Sequence, residues 1–209
     1  MDASVARPAL IRRGLVLEYL TVGWNVIEGL IAILAGVASG SIALIAFGID
    51  SIVETISGIV LIWRLRTEER GELDEEGIER VERRAELLVG VSFMILAAYV
   101  AFESIRTLVT AEAPDASPVG IVLTAVSIGV MLWLARAKLR VGQALGSRAL
   151  IADSHQTRAC WYLSAVTLAG LALNALLGWW WADPVAALAI VVLLVREGWE
   201  ALSGEEDEH

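Results

Sequence analysis

The sequence predicts an all-α membrane protein, a six-transmembrane-helix bundle with both termini cytoplasmic. Three observations carry that expectation. Of 209 residues, 57% are hydrophobic and 20% charged, against about 45–50% and about 25% in ordinary soluble domains. Four runs, 29–49, 87–102, 119–135 and 159–182, contain no Asp, Glu, Lys or Arg, and a bilayer span needs about 20 mostly apolar residues. The basic residues, finally, gather in alternate connections between these runs.

The elements follow in order. A first helix is expected over 14–37 and a second over 41–63, parted by a hairpin at Ser39-Gly40-Ser41. A third over 85–109 ends before a loop punctuated by Pro114 and Pro118, and a fourth runs over 119–139. The fifth spans 149–177. Trp179-Trp180-Trp181 then introduces a sixth over 182–200, with Asp183 as N-cap and Pro184 at the first helical position. The domain organisation is thus an N-terminal segment 1–13, a transmembrane unit 14–203 and an acidic tail 204–209.

Orientation follows from the basic residues, which stay on the cytoplasmic side. Arg7, Arg12 and Arg13 precede the first helix, and Arg64, Arg66, Arg70, Arg80, Arg83 and Arg84 lie between the second and third. Arg136, Lys138, Arg140 and Arg148 join the fourth to the fifth, whereas 38–41, 110–118 and 178–182 hold no basic residue. Both ends therefore face the cytoplasm, and the cell membrane is the expected location. Segment 66–84 mixes acids and bases at spacings of four (Glu76 with Arg80, Glu79 with Arg83) and reads as a solvated helical extension of the third span.

Composition also excludes. Cys160 is the single cysteine, so there is no intrachain disulfide and no Cys-rich zinc module. A net charge of −9 argues against a nucleic-acid partner. Two histidines, His155 and His209, leave no room for bis-histidine haem or a two-histidine zinc site, and no prosthetic group is expected. The apolar stretch after Arg13 far exceeds the 7–15 residues of a signal-peptide core. An enzyme is disfavoured, because Cys160 and His155 lie five apart on different helix faces.

A charged side chain at the bilayer centre costs about 2.5–3.5 kcal/mol on the lenient insertion scale, yet the spans carry several. The first has Glu18, Asn25 and Glu28 on one face; the second has Asp50 and Glu54, four apart, with Ser57 one turn on. On the fifth, Asp153, Gln156, Thr157, Cys160, Ser164 and Thr167 form a polar stripe, and His155, Arg158 and Tyr162 a second one rotated away from it. At 1.5 Å per residue, Glu54, Cys160 and Asn25 all come out about 14–16 Å from the cytoplasmic ends of their helices. A shared layer near the midplane is what a secondary transporter's cation site needs.

These residues are where the chain resembles the cation diffusion facilitator family, over about 10–203. That family's second helix carries Asp-x-x-x-Asp, matched by Asp50-Ser-Ile-Val-Glu54; its fifth carries Ala-Asp and, three residues later, His-x-x-x-Asp. Here Ala152-Asp153 matches while the following positions read Gln156 and Cys160, and Trp181-Ala-Asp183-Pro184 resembles the family's opening of the sixth helix. The resemblance implies a homodimeric metal/proton antiporter exporting a divalent transition-metal cation, with Zn²⁺ foremost and Fe²⁺, Mn²⁺ or Cd²⁺ as alternatives. The family's cytosolic domain and His-rich loop find no counterpart in these residues, which points to a short branch whose dimer rests on membrane helices and 66–84.

The expected metal ligands are Asp50, Glu54, Gln156 and Cys160, an O₃S set in which the thiolate favours soft or borderline ions over Mg²⁺ and Ca²⁺. Asn25 and Glu28 are read as outer partners or a proton relay. Asp153 reads equally as a capping, entry or ligand residue, and His155 as a contact to a neighbouring helix or a ligand. Arg158 is expected to pair with a carboxylate; Glu18, Glu86 and Glu200 are expected near the interfaces, solvated. Two functional readings stand side by side: a transporter, and a non-transporting bundle with a degenerate site in which Arg158 neutralises Asp50 and Glu54.

Overall fold

The computed structural model describes residues 3–70, 75–111 and 114–203. These form six helices and, among the described residues, no strands: α1 Ala3–Ser39, α2 Ile42–Arg70, α3 Glu75–Thr110, α4 Pro118–Leu145, α5 Arg148–Leu177 and α6 Ala182–Ser203. Each expected helix is present, but several run further at the ends carrying the basic residues. The expectation stopped where charge begins, whereas hydrogen bonding along the backbone continues into charged sequence. The expected extension at 66–84 divides between α2 and α3, with 71–74 outside the described residues, as is the tail 204–209.

Among the described residues, five helices are long and apolar enough to cross a membrane. The exception is α6, where Asp183 and Arg196 bracket an uncharged stretch at 184–195. In the bundle, α1 packs chiefly on α2, α4 on α5 and α3 on α6, while α2 also touches α3, α5 and α6. The second helix is therefore the hub. Its Leu44 and Phe47 sit in the main core with Val100, Leu171, Ile190 and Leu194. A smaller cluster of Ile11, Leu61, Leu65, Leu145 and Leu150 closes the end where α1 begins.

Glycine sets the spacing of α1 and α2. A Cβ on Gly36 would stand 2.9 Å from the backbone nitrogen of Ile45, and one on Gly48 at 2.9 Å from that of Ile33. No real side chain fits there, so the two backbones touch, as small residues allow in membrane helix pairs. The turn between them closes at Gly40, whose φ of +73° lies in the left-handed region.

Two turn assignments change. The α4 to α5 connection is a tight turn rather than a basic loop: Gly146 ends α4 at φ +69°, and the Ser147 side chain accepts from Leu150 N to start α5. Arg140, expected just past the fourth helix, thereby becomes helical with Arg136 and Lys138. Asp183 is not the N-cap of α6, which begins one residue earlier. It caps α2 instead, accepting from Ser41 Oγ at 2.5 Å and from Ile42 N at 3.0 Å. A helix start presents unpaired N–H groups that favour an anion, and at buried Ser41 a carboxylate from another helix supplies it.

Asp183→Ala would leave those buried donors unpaired, at about 1–3 kcal/mol. A lowered midpoint of thermal unfolding in detergent is expected, with Asp183→Asn intermediate because its one carbonyl oxygen still accepts.

Candidate functional site

The expected ligands converge. Asp50, Glu54, Gln156 and Cys160 all line one cavity of about 20 Å³, together with Phe93, Leu163, Leu193, Leu194 and Glu197. That is room for about one water-sized body. The helical spacing does this: a step of four puts Asp50 and Glu54 on one face of α2, and another puts Gln156 and Cys160 on the facing side of α5. Asp50, Glu54 and Cys160 are all buried.

Each donor is held by the protein. The Cys160 thiol donates to Asp50 Oδ2 at 3.2 Å, Asn25 Nδ2 to Glu54 Oε2 at 3.0 Å, and Ser57 Oγ to Gln156 Oε1 at 3.3 Å. Among the described residues, no three His, Cys, Asp or Glu side chains are grouped tightly enough to hold a metal ion. The arrangement is a hydrogen-bonded one in which the thiol keeps its proton. Glu28 stands one turn along α1 from Asn25, accepting from Ser51 Oγ at 3.1 Å. One oxygen each of Glu18, Asn25 and Glu28 is buried without a hydrogen-bond partner, so the polar face of α1 keeps unused acceptor capacity.

The other stripe of α5 lies apart. His155, Arg158 and Tyr162 are exposed on the far face, so Arg158 does not neutralise Asp50 or Glu54 and His155 does not reach the cavity. The expectation for Arg158 fails because depth alone placed it, while its helical face turns it outward.

Among the described residues, the buried cation is Lys138. Its side chain is 0% exposed and that of Glu18 likewise, with Asp153 at 12%. Lys138 Nζ donates to Glu18 Oε2 at 3.1 Å, to Asp153 Oδ2, and to Thr157 Oγ1 at 3.3 Å. Its three protons are thus satisfied by α1 and α5 from α4. Glu18 is therefore not solvated, and Asp153 is neither a cap nor a cavity donor. Glu200 does lie at the surface, paired with Arg196 at 2.7 Å; the side chain of Glu86 is outside the described residues. Along α5, Asp153 precedes Cys160 by seven residues, so the ion cluster lies about 10 Å from the thiol.

Sequence reasoning also missed Glu197, a half-buried carboxylate on the cavity wall. Its signal was there: an acid two residues past the uncharged stretch of α6, beside Arg196, rather than out in the tail.

Residues 19–204 match the model of the cation efflux transmembrane domain. The chain belongs to the cation diffusion facilitator family. It is a multi-pass membrane protein, and both carboxylates of α2 and both donors of α5 fall inside the family domain. Similar proteins include an uncharacterized transporter of Methanocaldococcus jannaschii, 26% identical over 179 residues (85% of this chain, 63% of that protein). The magnetosome protein MamB of a Magnetospira species is 25% identical over 185 residues (87% and 61%). The cation-efflux pump FieF of Shewanella oneidensis is 26% identical over 178 residues (81% and 58%). The chain spans about three fifths of the length of these relatives and corresponds to their family's transmembrane part.

Lys138→Met leaves two buried carboxylates without their counter-charge, a loss of about 3–5 kcal/mol. Thermal unfolding followed by tryptophan fluorescence should show a large drop for this variant. Most of the loss should return in Glu18→Gln/Lys138→Met/Asp153→Asn, which replaces the whole cluster by neutral groups.

Proposed function

We propose that this chain moves a divalent transition-metal cation out of the cytoplasm in exchange for protons, by alternating access about the Asp50, Glu54, Gln156 and Cys160 site. The observation that carries this reading is the convergence of those four side chains, from two helices, on one buried cavity. Membership of the cation efflux family supports it, as does the name of the relative from Shewanella oneidensis. Six spans, cytoplasmic termini, a cell-membrane location and a homodimer complete the reading, on the distribution of basic residues and on the family resemblance.

The chemistry follows from the donors. Two carboxylates and a thiol supply up to three negative charges, enough to compensate a dication, and the sulfur biases the set toward Zn²⁺ or Cd²⁺. Ligands must shed their protons to bind. Metal arriving from the cytoplasm displaces the Cys160 proton from its bond to Asp50 and draws Glu54 from Asn25. On the other side, proton return rebuilds the hydrogen-bonded arrangement and expels the ion. The spare acceptors of Asn25 and Glu28 supply a route for such protons along α1. Glu197 adds a further carboxylate to the cavity wall, on the side of α6.

The degenerate-bundle alternative drew on two features, Gln156 and Cys160 in place of the family's His and Asp, and a buried Arg158; the exposed position of Arg158 removes the second.

In proteoliposomes with an imposed pH gradient, the wild type should accumulate Zn²⁺ and Cd²⁺, and Asp50→Ala should abolish uptake. Cys160→Ser should shift preference toward Mn²⁺, the harder ion. No gradient-driven uptake of Zn²⁺, Fe²⁺, Mn²⁺ or Cd²⁺ by folded wild type would overturn the proposal. Metal affinity should fall as pH falls, since protons compete for the donors. Asn25→Ala removes the bond from which metal must draw Glu54, so it should tighten metal binding about fivefold by calorimetry, the worth of one hydrogen bond of about 1 kcal/mol.

A further inference from the structure

Back to back with the buried Lys138 cluster, the outer faces of α1 and α4 leave an open groove of about 350 Å³. That lies at the lower end of ligand-sized pockets. Its walls are Val16, Leu17, Leu20, Trp133 and Val141, and Arg12 and Arg13 stand at one end. Val16, Leu20 and Trp133 are each about half exposed. The groove is a hydrocarbon-lined slot ending in two guanidinium groups.

More arginines stand at the same height. The helices run antiparallel in a register fixed by Trp24 Nε1, which donates to Ser127 Oγ at 3.3 Å, and by Leu17 packed with Met131 and Leu134. Continuing that register toward the start of α1 brings Arg136 and Arg140 level with Arg12 and Arg13. Both are exposed, and Trp133, Arg136 and Arg140 share one face of α4 at steps of three and four. Arg12 gives its Nε to Glu69 at 3.2 Å. Among the described residues, Arg13, Arg136 and Arg140 have no hydrogen-bonded or ion-paired protein partner. A chain of net charge −9 thus sets Arg12 and Arg13 at the end of an apolar slot, with Arg136 and Arg140 level with them on α4.

We propose that this groove is a binding site for an anionic phospholipid. The headgroup phosphate is held among Arg12, Arg13 and Arg140, and one acyl chain lies along Val16, Leu20 and Trp133. Basic pockets between membrane helices on the cytoplasmic side suit such headgroups, and Arg presents a planar fork of donors that matches phosphate. A zwitterionic lipid would fill the slot and offer the same phosphate, but its ammonium group offsets that charge, so it answers the guanidinium groups less well. The site is distinct from the metal cavity and does not depend on transport.

The test uses the full chain in mixed micelles, titrated with phosphatidylglycerol or phosphatidylcholine carrying brominated acyl chains, and reads tryptophan quenching. Trp133→Phe identifies the contribution from the groove. Saturable quenching of Trp133 by the anionic lipid at lower mole fraction than by the neutral one is expected. Each basic residue near the membrane surface is worth about 1 kcal/mol, so Arg13→Gln should weaken the anionic lipid about fivefold and the zwitterionic one less, lowering the preference between them. Arg13 is exposed and unpartnered, so this variant should fold as the wild type does. Equal quenching by the two lipids, quenching that survives intact in Trp133→Phe, or an undiminished preference in Arg13→Gln would each overturn the proposal.

Discussion

A charge buried in a membrane has no water to answer it, so it must be answered by the protein. Lys138 states that constraint most plainly. Its three ammonium protons meet Glu18, Asp153 and Thr157, and the result ties α1, α4 and α5 into one body. Taken alone, such a cluster is weak evidence of stability, because desolvation offsets most of the attraction. What it does fix is arrangement. Three helices whose apolar faces could slide past one another in lipid have one register in which these charges are paired.

Around that body the second helix does two jobs. Its glycine-lined face lies in backbone contact with α1, and its Asp50 and Glu54 face α5 across the cavity. The polar groups divide accordingly. Those near Lys138 are fully engaged with one another. Those near the cavity are engaged singly, by a thiol, an amide and a hydroxyl, the three bonds that the proposed dication would displace. The difference is between charges that neutralise each other and carboxylates that face only weak donors.

Much of this was legible in the residues. Apolar runs of span length gave the helices, and steps of three and four placed Asp50 with Glu54 and Gln156 with Cys160. What failed were inferences from position along the chain without position around the helix. Lys138 was counted with Arg136 and Arg140 as a cytoplasmic charge, yet two residues of helix turn it by about 200° from either neighbour, into the bundle. Arg158 suffered the reverse error: right depth, wrong face. Glu18 was taken for an interfacial acid because its partners lie 120 and 135 positions away in sequence, beyond the reach of any local pattern. Asp183 carried a recognisable capping signature, but the helix it caps begins 141 residues earlier.

That last contact has a mechanical side. By gripping Ser41 and Ile42, Asp183 pins the start of α6 to the start of α2, so the two helices share a pivot at that end. Measured from Ile42, Asp50 sits on a lever arm of about 12 Å and Glu54 on one of about 18 Å. A swing of α2 by about 10° about the pin would carry the first about 2 Å and the second about 3 Å. The two carboxylates therefore separate unequally from any helix that stays still, Glu54 by about half as much again as Asp50.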